Sequence, residues 1–165
     1  AGKPILDRTA IRGGSVMNVS NQPILLVEDD ENDVMLLQRA FRRAAIVNPL
    51  QVVRNGDDAV AYLEGTGAFA DRQLYPLPVL MLLDLKLPRR TGLEVLQWVK
   101  ERTGLKKIPI IVLTSSKNDD DVNRAYELGA NSYVVKPVSF ETLLELVKSL
   151  ELYWLVLNER PNVSS

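Results

Sequence analysis

The sequence contains no cysteine and no histidine. Their absence excludes disulfides, thiol nucleophiles, the usual zinc sites, histidine general bases and a phosphohistidine carried on this chain. No sign of charge dominates: 20 Lys and Arg stand against 21 Asp and Glu, for a net charge of −1. Nothing in that balance draws the chain to nucleic acid or an anionic membrane. No apolar run approaches the roughly 20 residues that cross a bilayer, and the N-terminus has no apolar signal core. The reading is a cytoplasmic protein that binds neither nucleic acid nor membrane. Any chemistry must be done by carboxylates, hydroxyls and lysines.

What is present is an ordinary globular composition, with 165 residues, 46% apolar and 25% charged, enough for one core. Residues 1–16 carry no periodicity and include Gly13-Gly14-Ser15. They read as a tail that is unstructured or foreign to the natural chain, with Met17 as the natural start and 17–165 as a single domain. From there, short apolar strands alternate with amphipathic helices. Ile24–Val27 is followed by an acidic turn and a helix whose apolar face carries Val34, Leu37, Ala40 and Phe41. Leu50–Arg54 is a second strand, and Asn55-Gly56 opens a short helix that ends near Gly65. Thr66–Pro78 is expected to be a packed surface connection through Phe69, Leu74 and Tyr75. Val79–Leu83 is a third strand, with the continuity of one buried on both faces. A helix from Leu93 to about Thr103-Gly104 follows. Ile108–Leu113 is the fourth strand, a helix capped by Asn118 or Asp119 closes at Gly129, and Ser132–Val135 is the fifth strand. Ser139 caps a last helix from Phe140 to about Leu157. Five strand–helix alternations with right-handed crossovers predict an α/β, doubly wound parallel sheet with helices on both faces, and the expected form is the flavodoxin-like (βα)5 arrangement of strand order 2-1-3-4-5.

The strand ends carry the chemistry. Glu28 and Asp29 follow the first strand, Asp84 the third, Thr114 ends the fourth and Lys136 follows the fifth. Strands one and three adjoin at the switch point of such a sheet, so Glu28, Asp29 and Asp84 converge in one crevice. Carboxylates that close repel, and keeping them ionised calls for a small hard cation with oxygen ligands, Mg2+ foremost and Mn2+ as an alternative. Lys136 adds a point charge and Thr114 a hydroxyl donor, both suited to phosphoryl oxygens. Any one of these residues has an ordinary structural explanation; Asp and Glu at a helix start, for instance, complement its dipole. Five acids between Glu28 and Asp33 exceed what capping needs.

With these residues the sequence resembles the receiver domain of two-component response regulators. Glu28-Asp29 matches the acidic pair, Asp84 the phosphoacceptor, Thr114 the switch hydroxyl, Tyr133 the switch aromatic and Lys136-Pro137 the lysine with its proline. The match covers Ile24 to about Leu157. Within the family, Tyr62-Leu63-Glu64-Gly65, Leu82–Pro88, Leu113–Ser116 and Leu152–Leu155 are similar to the stand-alone regulators paired with bacterial and cyanobacterial phytochromes. The resemblance implies that Asp84 takes a phosphoryl group from a phosphohistidine on a sensor histidine kinase, here of phytochrome type. It implies metal ligation by Asp29, Asp84 and the backbone carbonyl of Lys86, with Glu28 acting through water. Lys136 and Thr114 would then hold the phosphate and Tyr133 would swing inward. Glu28 stands where aspartate is commoner, and Lys86 places a second cation beside the acceptor.

In the last helix, Phe140, Leu143, Leu144, Val147, Leu150, Trp154 and Leu157 form one stripe, while Leu146, Leu152, Tyr153, Leu155 and Val156 lie off it. That surplus predicts a homodimer interface adjoining the fourth helix and fifth strand. No DNA-binding or enzymatic segment follows, so output by protein contact or onward phosphotransfer is expected. Two rival functions remain. A Mg2+-dependent aspartyl-phosphate phosphatase or phosphotransferase of the haloacid-dehalogenase type wants a second aspartate two residues after the nucleophile, where this chain has Lys86. A phosphorylation-independent binding module would not need the full acidic set with Thr114 and Lys136.

Overall fold

The structure, a computed structural model, describes residues 22–136 and 138–158, with side chains described as far as Leu150. The N-terminal tail, Pro137 and the side chains of Leu152, Tyr153, Leu155 and Val156 therefore lie outside the described residues. Among those described, the order is β1 (Ile24–Val27), α1 (Glu31–Arg43), β2 (Leu50–Val53), α2 (Gly56–Glu64), a 3-10 turn (Gly67–Phe69), β3 (Leu80–Leu83), α3 (Gly92–Lys100), β4 (Ile110–Thr114), α4 (Asp119–Glu127), β5 (Ser132–Val135) and α5 (Phe140–Asn158). All pairings are parallel and the sheet runs β2-β1-β3-β4-β5, the expected doubly wound fold.

Alternation along the buried strands sorts the core onto two faces. Leu25, Val27, Met81, Leu83 and Val112 pack with α2, α3 and α4 residues such as Tyr62, Leu96 and Ala125. Ile24, Leu26, Leu80, Leu82, Ile111 and Leu113 pack with α1 and α5, through Val34, Leu37, Phe41, Leu143, Val147 and Leu150. Each large apolar side chain so buried is worth roughly 1.5–3 kcal/mol relative to exposure.

Local chemistry sets the element ends. Asn55 and Asn118 cap α2 and α4 by accepting from Asp58 and Asp120 amides. Gly65 takes the left-handed conformation (φ 74°) that stops α2. Helix α3 ends earlier than expected, at Lys100 rather than by Gly104. There Arg102 folds back, donating to the Trp98 carbonyl at 2.7 Å and lying 4.0 Å over its ring. The 66–78 connection is indeed packed: Phe69 meets the Tyr62 ring at a tilt and Tyr75 meets it edge-on, and Arg72 donates to the Tyr62, Leu63 and Tyr75 carbonyls. Leu74 does not join this cluster and is 64% exposed.

In α5, Leu143, Val147 and Leu150 are buried as the stripe predicts. Leu146, expected in an interface, is half-buried on the flank of the same core face. The reason is geometric: at about 100° per residue it lies only about 60° from Leu143, on the flank of the buried stripe.

Candidate functional site

Sheet register brings the predicted residues together. Val27 pairs with Leu83, so Glu28 and Asp84, each the next residue, emerge side by side. The backbone continues the ladder past them, with the Asp84 amide donating to the Val27 carbonyl at 3.1 Å and that of Glu28 to Val53 at 3.0 Å. Thr114 pairs with Val135, so Lys136 leaves β5 at the same edge, its amide donating to the Thr114 carbonyl at 2.8 Å.

Carboxylate oxygens of Glu28, Asp29 and Asp84 all lie within 4.8 Å of one another. Glu28 and Asp84 are buried, and Asp29 is exposed. Three hard oxygen donors on a half-open edge fit a divalent cation of the Mg2+ or Mn2+ kind, which also leaves coordination positions for water or substrate. The Lys136 ammonium crosses the sheet edge to the same place, donating to Glu28 Oε1 at 2.9 Å, Asp84 Oδ2 at 3.2 Å and Asp33 Oδ2 at 2.7 Å.

The electrostatics follow from burial and pairing. Burial pushes the Glu28 carboxyl from an ordinary 4.5 up to about 7, with the Asp84 charge adding to the rise, while the Lys136 bond and the Asp30 amide pull against it. Burial alone would lower Lys136, but hydrogen bonds to Asp33 and Glu28 and the charge of Asp84 outweigh it and hold the ammonium above the ordinary lysine range.

The other predicted residues have defined places. Thr114 is fully buried, and its Oγ1 accepts from the Ser116 amide at 3.4 Å. The Tyr133 hydroxyl donates to the Ser116 carbonyl at 3.0 Å, and burial raises its pKa. Both therefore hold the loop after β4, and neither lines the open cleft of about 400 Å³ at the acidic cluster. That cleft is formed by Asp29, Asp30, Asp33, Asp84, Lys86, Ser115 and Lys136. The Lys86 side chain is exposed at its rim, while its amide donates to Asp84 Oδ1 at 3.1 Å. Asp33 is the site residue that reasoning from sequence missed. Its signal was there, in the excess of acids after β1, but spacing alone did not say which acid faces Lys136.

The loop carrying Asp84 into α3 is fastened by two glycines. A Cβ on Gly92 would sit 2.3 Å from the Asp84 carbonyl oxygen, and one on Gly56 would sit 1.9 Å from that of Arg90. Their amides donate to Leu85 at 2.9 Å and Pro88 at 3.3 Å. Thr91 closes the other end with a capping box to Glu94.

A doubly wound parallel sheet with acids and a lysine gathered at its carboxyl edge is the receiver arrangement, and the chain belongs to the response regulator receiver domain family, which matches residues 24–148. Among curated relatives, the probable methanogenesis regulatory protein FilR2 of Methanothrix harundinacea is 43% identical over 84% of this chain and 86% of its own. Response regulator Rcp1 of Synechocystis is 41% identical over 82% of this chain and 92% of its own. The Mn(2+)-bound structure of Rcp1 superposes with a TM-score of 0.72 at 40% identity, covering 81% of this chain and 94% of that one. The phosphorylated cyanobacterial phytochrome response regulator RcpA superposes at 0.73 and 38%, covering 82% and 94%. This chain is thus a receiver similar to phytochrome-associated regulators. Among the described residues, no helix is long and apolar enough to cross a membrane.

Proposed function

We propose that this chain is a phosphorylation-driven switch in which Asp84 is the phosphoacceptor. The observation that carries the reading is the Lys136 ammonium donating to Asp84 beside three converging carboxylates. In the reaction, a carboxylate oxygen of Asp84 attacks the phosphorus of a phosphohistidine on a sensor histidine kinase. The oxygen–phosphorus bond forms as the nitrogen–phosphorus bond breaks, and the electron pair leaves on the imidazole, which takes up a proton. Asp29 and Asp84, the Lys86 carbonyl and, through water, Glu28 would hold Mg2+. When bound, that ion neutralises charge on the transferring group. Lys136 pairs with a phosphoryl oxygen. Thr114 gives up its contact with the Ser116 amide to donate to another, and Tyr133 follows the loop inward.

The added charge, about −1.5 to −2, biases the β4–α4 loop and the surface it carries. Similarity to Rcp1 and RcpA supports a phytochrome-type kinase as donor, and the proposed reaction is a cytoplasmic one. Output passes by protein contact, with a homodimer through the last helix, α4 and β5. The chain is not a turnover enzyme: the acyl phosphate forms and slowly hydrolyses on its own residues.

The test is incubation with Mg2+ and acetyl phosphate or beryllofluoride. One phosphoryl group per chain, abolished by Asp84→Asn, is the expected outcome. Multiple turnover on small phosphoesters would replace this reading with that of a phosphatase.

A further inference from the structure

All three hydrogens of the Lys136 ammonium are committed to carboxylates, and the three acceptors are not equivalent. Glu28 and Asp84 belong to the triad whose oxygens converge within 4.8 Å, the set that suits a divalent cation. Asp33 stands outside that set, on the first turn of α1, yet it makes the shortest of the three contacts, 2.7 Å against 2.9 and 3.2 Å. A cation bound among Glu28, Asp29 and Asp84 competes for two of the lysine's three partners and repels the ammonium as well. Asp33 is the partner that such a cation leaves to the lysine.

Building on the phosphoacceptor reading, we infer that Asp33 is a positioning residue that keeps the Lys136 ammonium at the sheet edge when a divalent cation occupies the acidic triad, ready to pair with the phosphoryl group on Asp84. Its place supports this role. The Asp33 amide donates to the Asp30 side chain at 3.1 Å, which ties the residue into the helix cap. Below the pair lies an apolar cavity of about 130 Å³, walled by Leu36, Leu37, Leu113, Val138 and Leu143 with Asp33 and Lys136 at its rim. Among the described residues lining that cavity, Asp33 is the one polar partner for the lysine. A point charge on a flexible four-carbon stem is held only by its partners, so removing one changes where the charge sits.

The test compares wild type, Asp33→Asn and Asp33→Glu. Asparagine keeps the size and the wall of the cavity, and glutamate restores the charge on a longer arm. Expected for Asp33→Asn are a roughly tenfold weaker beryllofluoride affinity and slower phosphoryl uptake from acetyl phosphate, with Mg2+ affinity within about twofold of wild type and substantial recovery in Asp33→Glu. A merely structural role would move the melting temperature and Mg2+ affinity along with uptake. If wild type is phosphorylated and Asp33→Asn takes up phosphate at the same rate or faster, the positioning role is overturned while the phosphoacceptor reading stands. If wild type itself takes up no phosphoryl group, both are overturned. Should Asp33→Asn melt far below wild type, Asp33→Glu decides alone, since its charge must then sustain uptake within about threefold of wild type for the inference to hold.

Discussion

Glu28 is 1% exposed and sits against Asp84 as well as Lys136, so its titration reports on the site. Between 4.5 and about 7 the folded protein holds a proton that the unfolded chain releases, and this group's contribution to metal-free stability therefore falls as pH rises across that window. The melting temperature of wild type should fall relative to that of Glu28→Gln from pH 5 to pH 7.5. Mg2+ should offset the loss at the upper end, because it favours the ionised triad. Lys86 makes a second prediction at this scale. Its exposed chain flanks the approach to Asp84, where it can shield the acyl phosphate from water and pair with it. Lys86→Asn should shorten the phosphorylated lifetime by up to about tenfold, equivalent to one charge-assisted contact. An unchanged decay rate would remove Lys86 from that role. The five acids after β1 show how far residue identity reads by itself. Their excess was visible in the sequence, but their separate roles were not. Glu28 and Asp29 face the triad, Asp30 caps α1, Glu31 pairs with Arg54 and Asp33 holds Lys136.

Elements convert these residues into a site by register and by close approach. Because Val27 and Leu83 are paired, a one-residue slip of β3 would carry Asp84 away from Glu28 and swap the faces of Leu80 to Leu83 between the two halves of the core. The loop after Asp84 has no such ladder and depends on Gly92 and Gly56. Gly92→Ala places a methyl group against the Asp84 backbone, which cannot rotate away. It should cost on the order of 2 kcal/mol, seen as a lowered denaturation midpoint, and should impair phosphoryl uptake even under conditions where the variant is folded. Thr91→Ala, removing only the cap, should cost about 1 kcal/mol and leave uptake near wild type. Element boundaries were legible where a glycine or a capping side chain marks them, as at Gly65, Asn118 and Ser139. The end of α3 was not, because the stop is made by Arg102 reaching back to Trp98, a contact that follows from the fold rather than from a local signal.

At the scale of the whole molecule, α5 closes the core face shared with α1, and Arg39 of α1 lies 4.7 Å over the Phe140 ring at its start. The buried stripe accounts for Leu143, Val147 and Leu150. The proposed homodimer through this helix draws on the residues off that stripe, among them the half-buried Leu146. Sedimentation at high micromolar concentration should show a dimer, and Tyr153→Glu should yield monomers with the fold retained; a wild-type monomer at that concentration would defeat the proposed interface. The sequence by itself determined the fold class and the sheet order, and it put the acidic pair, Asp84, Thr114 and Lys136 at strand ends. Strand hydrophobicity, period and strand-end chemistry are local properties, and parallel α/β topology leaves few ways to arrange them. Only tertiary structure decided that Lys136 reaches three carboxylates and that one of them is Asp33. It also decided that Thr114 and Tyr133 are turned toward the loop after β4, and that the stretch from Leu82 to Pro88 is held by glycines from two different helices. Those contacts join residues from separate strands and helices, and no spacing along the chain encodes the angle at which a side chain crosses the sheet edge.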